Sequence, residues 1–283
     1  MKEAREFILK CVFILTAGVS IAAVVLICIF MFANGIPAIA KIGPLNFLLG
    51  EKWKPMNNIF GILPMIVGSI YVTAGAIIIG VPIAFFASVY LAKFCNEKLY
   101  KILKPAVELM AGIPSIVYGF FGLVVIVPIM QKLMGGSGKS VLTASILLGI
   151  MILPTIIGVS ESAIRAVPES YYEGALALGA THERSVFFTI LPAAKSGITA
   201  GVILGIGRAI GETMAVMMVV GNQPRLTGDI LKGVRTLTTN IVMEMGYAAD
   251  LHREALIATA VVLFVFILVI NLLFSLLKRR SKA

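Results

Sequence analysis

An arginine and a glutamate four residues apart, Arg208 and Glu212, interrupt a segment that is otherwise apolar from residue 196 to residue 221. Ionisable groups in such a segment are costly unless they are paired or face a polar cavity. Residues at i and i+4 share one face of a helix, and Gly207 and Gly211 leave room beside the pair. A guanidinium also presents forked donors that match the oxygens of an oxyanion. Either the segment is not a membrane helix, or its two charges have a structural or functional role.

The composition of the chain is that of an integral membrane protein. Of its 283 residues, 59% are hydrophobic and 13% are charged, and the mean hydropathy is +1.01. Ordinary soluble domains carry about 25% charged residues, and a helix needs about 20 apolar residues to cross a bilayer. The sequence therefore predicts an all-α integral membrane fold with six transmembrane helices, at 11–33, 65–92, 109–131, 140–164, 196–221 and 255–277.

The first apolar segment is expected to be retained rather than cleaved. Basic residues precede it, as in a signal peptide, but a signal peptide's apolar region is about 7 to 15 residues long, whereas 11–33 is longer and no A-x-A cleavage site follows it. Basic residues are also more numerous in the segments that would share a side with the N-terminus. The positive-inside rule then predicts that both termini are cytoplasmic, with 1–10, 165–195 and 278–283 inside and the long loops 34–64 and 222–254 outside.

Several classes of site have little support in the sequence. The net charge of +10 comes from residues at helix ends, which suits lipid headgroups better than nucleic acid. The cysteines lack C-x-x-C spacing and the chain has only two histidines, so neither a zinc site nor any other metal or cofactor is expected. GGSGKS at 135–140 ends like a phosphate-binding loop, but Leu133 stands where that motif needs glycine. The sequence shows no nucleophile–base set of the kind that would indicate an enzyme.

The segment between the fourth and fifth apolar runs carries the most specific pattern, PESYYEGALALGATHERSVFFTILPAA at 168–194. It resembles the cytoplasmic signature of the permease subunits of bacterial ABC importers: a glutamate, two small residues, a later glycine and an I-x-L-P ending. Gly174 replaces the usual first alanine, and Thr189 stands where isoleucine is usual. The resemblance implies a six-helix type I importer domain whose coupling helix docks on a separate ATPase through Glu173, Gly174, Ala175, Gly179, Leu191 and Pro192. The alternative is an ordinary amphipathic interfacial helix.

Longer stretches resemble the PstC family of phosphate permeases. They are FLLGEKWKPMNNIFGILPMIVGS at 47–69, AGIPSIVYGFFGL at 111–123 and GRAIGETMAVMMVVGNQP at 207–224. The resemblance implies a prokaryotic inner or plasma membrane and transport of inorganic phosphate. It also implies a second, PstA-like permease, a homodimeric PstB-like ATPase and an extracytoplasmic PstS-like binding protein. The chain could instead be the PstA-like permease itself, or a permease for sulfate or molybdate.

Within that interpretation, Arg208 is predicted to give phosphate a weak, transient contact, while Glu212 holds Arg208 when no anion is present. A fixed salt bridge between the fifth span and another helix is the structural alternative. Four polar residues are weaker candidates for the substrate path, since each could equally satisfy nearby backbone groups: Ser115, Tyr118, Thr213 and Asn222.

Two glycine patterns in the fifth span, GVILG at 201–205 and GRAIG at 207–211, are expected to serve close helix packing. The long outer loops could receive a soluble binding protein. Two other classes stay open: a membrane enzyme, for which catalytic groups should gather at one membrane face, and a channel or secondary transporter, which would not need an ATPase-docking helix.

Overall fold

The computed structural model describes residues 2–280, and the side chains of 5–7 and 9–273. The chain is almost entirely helical. The helices and strands, in chain order, are α1 (Lys2–Ile42), α2 (Pro44–Leu49), β1 (Trp53–Lys54), β2 (Ile59–Phe60), α3 (Leu63–Val89), α4 (Glu97–Gly112), α5 (Ser115–Phe121), α6 (Val127–Met134), α7 (Val141–Arg165), α8 (Glu169–Ala177), α9 (His182–Ser185), α10 (Leu191–Gly211), α11 (Met214–Val219), α12 (Leu237–Met245) and α13 (Asp250–Arg280).

Six helical segments in the described part of the chain are long and apolar enough to cross a membrane. The prediction of an all-α multi-pass fold is confirmed. Three of the spans include a wider, π-helical turn, at Tyr90–Phe94, Gly122–Ile126 and Val186–Ile190. The spans are Arg5–Ile42, Leu63–Phe94, Ser115–Met134, Val141–Arg165, His182–Gly211 and Asp250–Leu273.

The third span differs from its predicted range of 109–131. Residues 109–112 form the end of α4, and the chain is extended at Ile113 before α5 begins at Ser115. Proline disfavours helical backbone in the residue before it, so Pro114 separates the two helices. The apolar run at 109–131 is therefore shared between a helix outside the spans and a span that extends to Met134.

The fifth span differs from its predicted range of 196–221 at both ends. Its helix begins at His182, inside the segment predicted as a coupling loop, and continues through the turn at 186–190 into α10. It ends at Gly211 because Glu212 has extended backbone, with ψ 132°. The predicted loops 34–64 and 222–254 also contain helix: α1 extends to Ile42, α12 is internal, and α13 begins at Asp250. The predicted C-terminal segment 278–283 lies outside the described residues beyond 280.

Helix α7 forms the centre of the bundle, packed between α3 and α10. Its apolar side chains fill the main core, together with residues of α5 and α11. Glycines on the neighbouring helices allow a close approach: a Cβ at Gly80 would lie 2.8 Å from the carbonyl oxygen of Gly149, and one at Gly201 would lie 2.9 Å from Ser160 Oγ. The α7 residues at the centre of this core are Leu147, Leu148, Met151, Ile152 and Ile156.

The two glycine patterns of the fifth span have different surroundings. A Cβ at Gly205 would lie 2.5 Å from Cγ1 of the fully buried Ile156, whereas one at Gly207 or Gly211 would meet nothing within 4 Å. The expectation of helix packing is therefore confirmed for GVILG. It is wrong for GRAIG among the described residues, because these glycines face open space.

This difference predicts opposite effects for two alanine variants of α10. Gly205→Ala should destabilise the protein by about 1–3 kcal/mol, since the new methyl group overpacks a fixed core. Gly207→Ala should be neutral or stabilising by up to about 1 kcal/mol, because alanine is the better helix former. Thermal unfolding of the two purified variants measures both. Equal unfolding temperatures would contradict this packing.

The two ends of the bundle are distinguished by what they carry. We call the end with α8 the coupling end and the opposite end, with β1, β2 and α12, the distal end. At the distal end the short antiparallel hairpin pairs Trp53 with Phe60. These two side chains pack with Phe47 of α2 and Leu256 of α13 in a second apolar core. The distal end is thus a folded cap rather than a pair of open loops.

Candidate functional site

Arg208 lies in the last turn of α10 and is half-buried. Its Nη1 donates a hydrogen bond to Oγ1 of Thr155 on α7, at 3.0 Å. Among the residues that the structure describes, this is the only hydrogen bond of the guanidinium, and no ion pair joins Arg208 to a carboxylate. A positive charge within a membrane span is therefore held by one neutral hydroxyl.

In the described part of the chain, Glu212 forms neither a hydrogen bond nor an ion pair with Arg208. Its Oε1 accepts hydrogen bonds from the backbone N–H groups of Thr213 and Ala215, each at 3.0 Å, at the start of α11. A carboxylate is favourable at a helix N-terminus, where free N–H groups concentrate positive charge. The expectation that Arg208 and Glu212 share one helical face is wrong, because α10 ends at Gly211. Glu212 caps the next helix instead of holding the arginine.

The break between α10 and α11 is also fixed from the distal end. Thr238 of α12 donates its hydroxyl to the backbone carbonyl of Glu212, at 3.1 Å. The start of α12 is bonded in turn to α3, since the Leu237 N–H donates to Ser69 Oγ at 2.9 Å. The backbone that follows Arg208 is therefore attached to the distal cap.

The weaker candidates mostly satisfy nearby backbone. Tyr118 Oη donates to the carbonyl of Met110 at 2.9 Å, across the break between α4 and α5. Thr213 Oγ1 donates to the carbonyl of Gly211 at 3.2 Å, and Asn222 Nδ2 donates to that of Met217 at 2.7 Å. These contacts favour the alternative that the three side chains satisfy nearby backbone groups. Ser115 is the first residue of α5 and is half-buried.

A buried ionic cluster at the coupling end was not predicted. The carboxylate of Glu161, 1% exposed on α7, accepts hydrogen bonds from Tyr100 Oη at 2.7 Å, Lys104 Nζ at 2.8 Å and Arg165 Nε at 2.9 Å. Arg165 Nη2 also donates to the carbonyl of Leu91, at 2.7 Å. The cluster therefore joins α4 to α7 and to the end of the second span.

The ionisation of the two α4 side chains reflects this cluster. The pKa of Tyr100 is raised, first because its hydroxyl donates to the Glu161 carboxylate and then because of burial. Burial alone would lower the pKa of Lys104, but its hydrogen bond and charge interaction with Glu161 outweigh burial and raise that pKa. Lys104 thus stays charged at neutral pH. The sequence signal was the i, i+4 spacing of Tyr100 with Lys104 and of Glu161 with Arg165.

A second unpredicted cluster lies in the distal cap. Glu244 of α12 accepts hydrogen bonds from Trp53 Nε1 at 2.8 Å and from Arg235. Its carboxylate also forms a hydrogen bond with His252 Nε2 at 2.8 Å. Arg235 also donates to Asn240 Oδ1 at 3.0 Å. These contacts join the hairpin, α12 and α13 around one buried carboxylate.

The residues of the coupling motif divide into two groups. Glu173 and Gly174 are exposed on α8, Ala175 is half-buried there, and Gly179 follows the helix with φ 84°. Such a positive φ suits glycine, which has no Cβ to clash. Leu191 is instead buried in a core beneath α8, and Pro192 stands at the start of α10. The first group and the exposed Pro192 can therefore present a surface to a partner, whereas Leu191 cannot.

The surface around α8 combines exposed apolar side chains with a cavity of mixed polar and apolar lining. Leu178 is 91% exposed and Phe188 is 77% exposed. Between them lies a cavity of about 500 Å³ that is also lined by Tyr171, Ala175 and Arg184. Helix α8 is held in place by a Tyr172–His182 hydrogen bond of 2.7 Å and a Lys93–Glu169 ion pair of 3.4 Å. Exposed apolar groups around a cavity are typical of protein–protein contact sites.

The fold is that of the membrane domain of ABC importers. A chain from the MetNI methionine ABC transporter superposes with a TM-score of 0.66 at 19% identity, covering 81% of this chain and 99% of that one. A chain from a bacterial ABC transporter involved in the import of the acidic polysaccharide alginate gives 0.62 at 14% identity, covering 94% and 95%. At these identities the likeness shows the fold alone, and it confirms the predicted type I importer domain.

Sequence comparison shows the family. Residues 80–283 match the family described as "Binding-protein-dependent transport system inner membrane component", and the chain belongs to this family of transport permeases. It is 37% identical over 270 residues to the probable ABC transporter permease protein YqgH of Bacillus subtilis, covering 92% of this chain and 87% of that protein. The predicted class of transport permease subunit is confirmed.

Relatives with a more specific name also match over most of the chain. The phosphate transport system permease protein PstC of Mesorhizobium japonicum is 34% identical, covering 90% of this chain and 81% of that protein. The probable phosphate transport system permease protein PstC of Methanocaldococcus jannaschii is 31% identical, covering 88% of this chain and 86% of that protein. The resemblance to the PstC family is thereby confirmed.

Proposed function

We propose that this chain is the PstC-type permease subunit of an ATP-driven importer of inorganic phosphate. In this proposal it forms half of the translocation path and a second, PstA-like permease forms the other half. The observation that carries the proposal is the guanidinium of Arg208, which lies within a membrane span and, among the described residues, has only Thr155 as a hydrogen-bonding partner. The relatives named as phosphate permeases support the choice of anion.

The physical role of Arg208 follows from the charge of phosphate. An anion entering a low-dielectric bundle loses hydration that only a positive or hydrogen-bonding partner can replace. Arg208 offers donors that no carboxylate occupies in the described structure. Gly207 and Gly211 present no side chain on that helix, so an anion can approach the guanidinium along the backbone.

The remaining parts of the importer are proposed from the two ends of the bundle. The exposed face of α8 is proposed to dock in a groove of a separate, homodimeric ATPase that hydrolyses ATP for this chain. Both termini and the coupling end would then be cytoplasmic. The distal cap would face a binding protein outside the membrane, and that protein would hold the tight recognition site.

Sulfate and molybdate are the competing substrates, because a guanidinium fits any tetrahedral oxyanion. The assembled complex in lipid nanodiscs distinguishes them through its ATPase activity. We expect the binding protein loaded with phosphate to stimulate hydrolysis several-fold more than the same protein presented with sulfate or molybdate. Equal stimulation by all three anions, or by sulfate alone, would overturn the assignment to phosphate.

The docking proposal predicts the effect of a large side chain on α8. Gly174 is exposed and a Cβ there would meet nothing within 4 Å, so Gly174→Tyr should leave the permease folded. The added ring should clash with an ATPase groove and lower its affinity about tenfold or more, as an overpacked contact does. Copurification of the ATPase with the permease measures this.

Gly228→Tyr is the matched control. Gly228 is equally free of neighbours but lies at the distal end. The Gly228→Tyr permease should still copurify with the ATPase. Full retention by Gly174→Tyr as well would exclude α8 as the docking surface and favour an ordinary interfacial helix.

A further inference from the structure

The hydroxyl of Thr155 has an unusual partner for a threonine within a helix. Such hydroxyls commonly donate to the carbonyl four residues earlier in their own helix. Thr199 and Thr259 do so in this chain, with Oγ1 at 2.8 Å from the carbonyls of Lys195 and Ala255. The only described hydrogen bond of the Thr155 hydroxyl is instead the one that it accepts from Arg208, which joins α7 to α10.

We propose that Thr155 is the positioning residue of the anion contact, and that its hydroxyl aims the fork of the Arg208 guanidinium toward the translocation path. The inference rests on the proposed function, in which Arg208 contacts phosphate. A guanidinium has five N–H donors. One bond to Thr155 fixes its orientation and leaves the other donors for the anion.

The neutrality of Thr155 matters as much as its position. A carboxylate at this point would form an ion pair with Arg208 and would repel an incoming anion. A hydroxyl accepts one hydrogen bond without cancelling the positive charge, so the site keeps its attraction for an oxyanion. A single neutral partner is therefore suited to a residue that must bind an anion briefly and release it.

The packing of α7 against α10 determines whether the two side chains can meet. Gly201 and Gly205 let α10 approach Ser160 and Ile156 so closely that a Cβ at either glycine would clash. This contact brings a short threonine side chain within reach of Arg208, which follows Gly205 by less than one turn. The glycines thus fix the spacing, and Thr155 fixes the orientation.

The same face of α7 carries a glycine less than one turn beyond Thr155. Gly158 is three residues further along, on the same helical face, and a Cβ there would meet nothing within 4 Å. Gly207 and Gly211 leave a similar open face on α10. The Arg208–Thr155 contact therefore lies near glycine positions on both helices that leave space for an anion to reach the guanidinium.

The test is ATP-dependent uptake of labelled inorganic phosphate by the reconstituted four-component complex, measured per assembled complex. Loss of one hydrogen bond to a charged group weakens an interaction about tenfold in its equilibrium constant. Thr155→Val should therefore lower uptake by about the same factor. Thr155→Ser keeps the hydroxyl and should stay within about twofold. Thr259→Val is the matched control, because that hydroxyl bonds only its own helix, and its uptake should be unchanged.

A double-mutant cycle with Arg208→Lys separates positioning from a general structural effect. An ammonium has no fork to orient. Adding Thr155→Val to the Arg208→Lys variant should therefore reduce uptake by less than about twofold, as expected when two residues act together. Equal losses in both backgrounds, failure of Thr155→Ser to restore uptake, or normal uptake by Thr155→Val would each overturn the positioning role. Normal uptake by both Arg208→Lys and Arg208→Ala would instead refute the anion contact itself.

Discussion

Replacement of Arg208 by lysine is expected to lower phosphate uptake by about 10- to 100-fold in a complex that still assembles. Lysine keeps the positive charge but replaces a planar fork of donors with a compact ammonium. Hydrogen bonds to charged groups contribute about 1.5–3 kcal/mol each, and each 1.4 kcal/mol is about tenfold. The loss of one oriented contact to the anion therefore gives the expected range. Uptake of labelled phosphate into proteoliposomes measures it.

The controls for this prediction address assembly and charge. Copurification of all components shows that the variant complex is intact. Arg253→Lys makes the same substitution at an exposed position of the distal end and should transport normally. Undiminished uptake by an assembled Arg208→Lys complex would contradict a forked contact. Because the Glu212 carboxylate is hydrogen-bonded to backbone N–H groups at the start of α11, no broken Arg208–Glu212 ion pair would complicate the result.

Removal of the Glu161 carboxylate should have the largest effect on stability. In Glu161→Ala the half-buried Lys104 and the more exposed Arg165 lose the buried carboxylate that they share, and the Tyr100 hydroxyl loses its acceptor. Breaking a buried ion pair by removing one partner costs about 3–5 kcal/mol. The coupling end should loosen first, because the cluster joins α4 to α7. Thermal unfolding of the purified protein in detergent measures the loss.

Glu108→Ala is the matched control on the same cluster. Glu108 also approaches Lys104, at 3.6 Å, but its side chain is 64% exposed. Exposed ion pairs contribute about 0–1 kcal/mol, so this variant should unfold close to the unmodified protein. If Glu161→Ala and Glu108→Ala unfolded at the same temperature, the buried cluster would not stabilise the bundle.

The number of spans could be predicted from the sequence because apolar length alone decides whether a helix can cross a bilayer. The ends of the spans could not be predicted in the same way. The run at 109–131 is uniformly apolar, yet Pro114 divides it between two helices. Likewise, the fifth span begins at His182, among polar residues of the predicted coupling loop.

The charged pair shows what spacing alone can and cannot predict. The i, i+4 spacing of Arg208 and Glu212 implies one shared face only if the helix is continuous. Glycine is common in membrane helices, so Gly211 did not predict a break. Once the helix ends there, the carboxylate is closer to the free N–H groups of α11 than to the guanidinium, and it bonds to them.

The partners of the buried charges join residues far apart in the chain. Lys104 and Glu161 are separated by 57 positions, and Trp53 and Glu244 by 191. No periodicity in a single sequence connects such pairs, so both clusters were missed. The coupling motif predicted an exposed helix for its first residues, and these residues do lie on or beside α8. It did not predict that Leu191 would pack in the core, because an apolar residue of a signature can serve packing as well as docking.

The central claim is tested most directly by ATP-dependent uptake of labelled phosphate into proteoliposomes containing this chain, its partner permease, the ATPase and the binding protein. Unlabelled phosphate, arsenate, sulfate and molybdate serve as competitors. We expect uptake that requires ATP and is reduced only by phosphate and its close mimic arsenate. No phosphate uptake by an assembled, ATP-hydrolysing complex, or equal competition by sulfate or molybdate, would contradict the assignment and the role given to Arg208.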